Sequence, residues 1–118
     1  MSDLDKPDYT NDAEIRKDIL DTAKKYVCND RNKQYGSPED NFTLIAERWT
    51  LYLQQLKMIS SEDRISPTMV SVMMTDFKLA RLTGNPLHKD SWVDAAGYIA
   101  CGAGIILKEQ TKNEQPPL

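Results

Sequence analysis

The chain has 118 residues, 40% of them apolar and 28% charged, which suits one globular domain with a core of its own and excludes a disordered or disulfide-stapled class. A net charge of -3 argues against a protein that grips a nucleic-acid backbone, where a basic surplus is the rule. No apolar run approaches the ~20 residues of a membrane span, and Cys28 and Cys101 stand outside any zinc-ligand spacing, which reads as two buried free thiols.

Residues 1–10 carry Pro7 and four charges without periodicity, and they are read as a flexible arm. They lack the apolar stretch of a signal peptide, so the expected location is cytoplasmic. Residues 11–108 are read as a single helical domain. Its first helix is predicted over Asp12–Cys28, with Asn11 as cap, Glu14 at the capping-box spacing, and Ile15, Ile19, Ala23 and Val27 on one face. The second is predicted over Pro38–Met58. Ser37 caps it, Pro38 takes the first helical position, and Phe42, Ile45, Ala46, Trp49, Leu53 and Leu56 form its stripe.

Ser66-Pro67 repeats that start signal for a third helix to Thr83, which Gly84 closes as a left-handed cap. Val70, Met73, Met74, Phe77 and Ala80 are its expected buried face. A fourth helix is predicted over Ser91–Lys108 behind Asp90. It tolerates Gly97, Gly102 and Gly104, each costing up to about 1 kcal/mol in a helix interior, which points to close backbone approach along the Ala96, Ala100, Gly104 stripe. The approaching helix belongs to this chain or to a second subunit; both stay open. Residues 109–118 are polar, end in Pro116-Pro117, and are read as a flexible tail. The fold expected is all-α: a compact four-helix domain with antiparallel helices, assembled into an oligomer.

Two connections carry more chemistry than linkers need. The segment 30–40 combines Arg31, Lys33, Tyr35 and Gly36 just before a helix start, whose free N–H groups attract anions. The segment 84–94 places His88, Lys89 and Trp92 at another helix start. Lys78 and Arg81 share a face of the third helix, and Asp90 and Asp94 share a face of the fourth. If those helices pack antiparallel, the charges meet, either as an ion-pair network or as a pocket for phosphate and sugar hydroxyls.

The string Tyr35-Gly36-Ser37-Pro38-Glu39-Asp40-Asn41-Phe42, with Lys78-Leu79-Ala80-Arg81-Leu82 and Asp90-Ser91-Trp92-Val93-Asp94 followed by Gly97-Tyr98, resembles a short, all-helical phage and prophage family of unknown function. More distantly, the chain is similar to phage nucleotide-modification-associated proteins and to all-α nucleoside triphosphate pyrophosphatases of MazG type. The resemblance implies a phage-type protein in a bacterial host cell. The leading expectation is a non-catalytic binder of a phosphorylated nucleotide-like ligand, needing no cofactor. Arg31, Lys33, Lys78, Arg81, His88 and Lys89 would take phosphates, Tyr35, Trp92 and Tyr98 rings, and Asp94 hydroxyls, with Gly36 in the loop. By analogy of size and phage context, it would be an anti-defence sponge for a cyclic nucleotide or cyclic ADP-ribose-like immune signal.

The alternative is a Mg²⁺-dependent pyrophosphatase with metal on a subset of Glu47, Asp76, Asp90 and Asp94. The sequence departs from that family's pattern: Glu47 has no glutamate three residues away, and Asp90 and Asp94 are four apart. A second alternative is a structural or protein-binding module that uses the small-residue helix.

Overall fold

A computed structural model describes residues 11–30 and 37–113. Among them every regular element is a helix, and there are no strands. Helix α1 spans Asp12–Lys24 and runs on into a π-helical turn, Lys25–Asp30. Helix α2 spans Pro38–Gln55, α3 Pro67–Gly84 and α4 Lys89–Asn113. No helix among the described residues is long and apolar enough to cross a membrane.

The helix starts follow local chemistry. Asn11 accepts the Glu14 N–H at 2.8 Å, Ser37 that of Asp40 at 3.1 Å, and Ser66 that of Met69 at 3.1 Å. Pro38 and Pro67 occupy first-turn positions where an N–H would lack a partner.

The helix ends differ from expectation. Helix α2 stops at Gln55 rather than Met58, because Lys57 turns left-handed at φ 60°. Lys57 N–H then reaches Gln54 O at 2.9 Å and Met58 N–H reaches Leu53 O at 3.0 Å, a Schellman closure made without glycine. Gly84 is not a left-handed cap. It ends α3 as a helical residue, and Asn85 caps it in a non-helical conformation (φ -147°, ψ 85°). Helix α4 begins two residues early, since His88 Nδ1 pairs with the hydroxyl of buried Ser91 at 2.7 Å. It also continues to Asn113, beyond the predicted Lys108.

Helices α3 and α4 form the most extensive contact, with α1 resting on α4 and α2 on α3. Phe42, Ala46, Val70 and Ile105 make the central cluster, and Ile45, Trp49, Ile65, Met74, Tyr98 and Cys101 pack around it. Thr50 is buried, and its hydroxyl accepts the Ile65 N–H at 2.8 Å, fixing the α2–α3 connection to the core.

The buried face of α3 is the main correction. Val70 is buried and Met74 partly so, but Met73, Phe77 and Ala80 face outward, while Ser71 and Leu82 face in. The reason is steric. A Cβ on Gly102 would fall 2.1 Å from Ser71 Oγ, so α3 meets α4 through its smallest inner residue. Of the three glycines in α4, Gly102 and Gly97 are crowded within the chain, Gly97 by Val27, whereas Gly104 has open space. Cys28 is an exposed thiol and Cys101 a half-buried one, neither in a disulfide, so the expectation of burial fails for Cys28.

Candidate functional site

A cavity of about 280 Å³ opens where all four helices converge. The π-helical turn supplies Tyr26 and Val27, widening the end of α1 where it faces α4. The first turns of α2 supply Pro38, Asn41 and Phe42, α3 supplies Met74, and α4 supplies Asp94, Gly97 and Tyr98. Phe42 and Tyr98 stand with ring centroids 6.1 Å apart and planes tilted by 57°. The walls are mostly apolar; Asp94 and Asn41 are their principal polar groups.

Glycine at 97 is what leaves room. A Cβ there would press to 3.0 Å from Val27 Cγ1, and Ala23 on α1 keeps the neighbouring wall low. Asp94 is held from outside the cavity. Lys78 Nζ lies 2.9 Å from its Oδ2, and the two side chains are only 12% and 29% exposed. This is the meeting of α3 and α4 charges that their spacing suggested.

The other cations go elsewhere. Lys89 Nζ sits 2.9 Å from Asp18 Oδ2 and ties the start of α4 to α1. The Arg81 guanidinium lies 4.9 Å from the centre of the Phe77 ring. Arg81 and His88 line a separate, open depression with Gly84 and Asn85. Trp92 donates its indole N–H to Pro86 O at 2.8 Å and is about half exposed. Asp94 and Tyr98 therefore share the four-helix cavity and Arg81 and His88 share the shallow one. Lys78 reaches the first only through Asp94, and Lys89 and Trp92 line neither. Arg31, Lys33, Tyr35 and Gly36 lie outside the described residues.

Glu47, Asp76 and Asp90 are exposed. Among the described residues, no three carboxylate, histidine or cysteine side chains gather closely enough to hold a metal ion, these and Asp94 included. The cavity walls from Ala23, Tyr26, Val27, Leu44 and Met74 were not singled out as site residues. Their one legible signal is the pair of small residues, Ala23 and Gly97, set among large ones on facing helices.

The two halves of the sequence signature converge here. Pro38, Asn41 and Phe42 come from the first, and Asp94, Gly97 and Tyr98 from the second. Comparison with known proteins places the chain among phage sequences. The Gene 55 protein of Mycobacterium phage D29 is 39% identical over 83 residues, covering 70% of this chain and 50% of that protein. The Gene 55 protein of Mycobacterium phage L5 is 33% identical over 97 residues, covering 82% and 55%. The chain thus spans about half the length of the curated relatives it matches. No solved structure matches it. Residues 18–106, from within α1 to within α4, match the family described as Domain of unknown function (DUF6378), and the chain belongs to that family.

Proposed function

We propose that the chain is a small-molecule binding protein that seats the ring of a nucleotide-like ligand in the four-helix cavity and holds it unchanged. The observation that carries this reading is the convergence of both signature halves on one cavity. A volume of about 280 Å³ suits a nucleoside-sized group. The Phe42 and Tyr98 rings, tilted by 57° to each other, offer apolar walls, and Asp94 and Asn41 offer hydrogen-bonding groups that fix orientation. Arg31 and Lys33 belong to the connection between the π-helical turn and α2, which both wall the cavity, and they are the proposed phosphate contacts.

Within this reading the helices form an antiparallel bundle. That fits the contact order, in which Ser71 meets Tyr98 and Gly102 while Lys78 meets Asp94. The phage relatives fit a role during infection of a bacterium, and by analogy of size and phage context the proposed ligand is a cyclic nucleotide or cyclic ADP-ribose-like signal held in the host cytoplasm.

The test is a panel of nucleosides, linear nucleotides and cyclic nucleotides, with and without Mg²⁺ or Mn²⁺, read by melting temperature and by recovery of the ligand. A member that raises the melting temperature by mass action and is recovered intact supports sequestration, and Ala23→Leu, which fills the cavity, should abolish the shift. Metal-dependent turnover, or no shift from any member, overturns it.

A further inference from the structure

The side of α3 opposite Val70 and Met74 carries Met69, Val72 and Leu79. The side of α4 opposite Gly97 and Cys101 carries Trp92, Ile99 and Ile106. Each of these six is 45–49% exposed. Because α3 and α4 pack side by side, the two rows adjoin and form one apolar layer facing away from α1 and α2. Half-exposed side chains of this size present on the order of 500–600 Å², at the upper end of the largest patch on an ordinary monomer. Ala96 and Ala103 extend the same surface.

We propose that two copies of the chain associate through this layer, α3 and α4 of one laid on α3 and α4 of the other in a two-fold dimer. The area argues for it. With a polar rim the patch reaches the roughly 800 Å² per partner of a standard interface. The interior argues for it as well. Only eight hydrophobic residues are buried among the described ones, and three are alanines. A core that small leaves a chain of this size under-stabilised. A cover needed for stability must be present whenever the chain is made, and a second copy meets that condition where a transient partner does not. The chemistry of the face agrees. Six large apolar side chains stand on it against one carboxylate of the α3 row, Asp76, which falls between Val72 and Leu79 in the chain. Ala96 and Ala103 let facing helices approach closely.

Sedimentation equilibrium on the full 118-residue chain should give twice the 13.4 kDa chain mass at micromolar concentration. Ile99→Lys should halve that mass, and Leu51→Lys, on the exposed side of α2, should leave it unchanged. Should Ile99→Lys fail to fold, the unaltered chain decides the matter. On dilution from roughly 100 to 1 µM its melting temperature should fall by several degrees, and the Trp92 emission should move to longer wavelength as the face is wetted. A single-chain mass with dilution-independent melting overturns the proposal. So does a dimer that Leu51→Lys splits and Ile99→Lys does not.

Discussion

Gly102 lies so close to Ser71 that a side-chain carbon on the glycine would fall 2.1 Å from the serine Oγ and 2.7 Å from its Cβ. The serine hydroxyl in turn donates to the carbonyl oxygen of Tyr98, one helical turn earlier on α4. This contact sets the distance between the two most closely packed helices. Gly102→Ala would gain up to about 1 kcal/mol of helix propensity, but the added methyl must push α3 away at a cost of about 1–3 kcal/mol. The net result expected is a lower denaturation midpoint. Gly104→Ala meets nothing within 4 Å, should stabilise the protein by up to about 1 kcal/mol, and should raise the midpoint accordingly. Equal responses from the two variants would show that the Ser71 contact does not limit packing.

Lys57 closes α2 in a left-handed conformation at φ 60° that costs an L-residue roughly 1–2 kcal/mol. Glycine adopts it freely, and both Schellman hydrogen bonds are backbone–backbone and survive the change. Lys57→Gly is therefore expected to stabilise the protein by about 0.5–1 kcal/mol, after the extra entropy of glycine in the unfolded chain is offset. Urea denaturation measures it; a destabilised variant would mean that the lysine side chain itself contributes to the turn.

The helix starts were legible because each rests on two or three adjacent residues: Asn11 with Glu14, Ser37 with Pro38, Ser66 with Pro67. The face of α3 was not. Its sequence is apolar on nearly every side, with Met69, Val70, Val72, Met73, Met74, Phe77 and Leu79, so periodicity cannot choose an inward direction. The choice is made by Ser71 against Gly102, a contact between residues 31 positions apart. The candidate site was legible in part for a similar reason. Asp94 and Tyr98 stand out as chemistry, but a cavity is a space left by small residues on separate helices, and only the packing brings Ala23 and Gly97 to one wall. The pairing of Lys89 with Asp18 depends likewise on how α1 docks on α4.

Lys78 and Asp94 make an ion pair that is mostly shielded from water, which separates a structural role of Asp94 from a ligand-binding one. Lys78→Met removes the cation and leaves a half-buried carboxylate without that partner, at an expected cost of about 1–3 kcal/mol. Adding Asp94→Leu should recover most of the loss, since a shielded ion pair and an apolar pair of similar volume are close in stability. A double-mutant cycle by thermal and urea denaturation measures the coupling. Under the proposed function the double variant folds but no longer responds to the nucleotide that stabilises the natural chain. A response that persists would remove Asp94 from the binding site.

The turn between α2 and α3 carries a pH dependence whose sign follows from its hydrogen bonds. Asp63 accepts the Ser60 backbone N–H at 2.9 Å, and that bond, with a further one from the Ser60 side chain, holds its carboxyl below the usual value of 3.8. The unfolded chain then takes up this proton at higher pH than the folded chain. The contribution is complete above the unfolded value and is lost as the pH falls through the lowered folded value. The turn is also tied to α2 by Gln54, whose side-chain amide donates to the carbonyls of Ser60, Ser61 and Asp63. Acidification below pH ~4 should therefore loosen the turn, seen as earlier exchange of the Ser60 amide while α3 and α4 stay protected. Asp63→Asn should remove that acid-dependent step. A carboxyl titration at or above the ordinary aspartate value, followed by NMR, would place the Ser60 bond outside the folded state in solution.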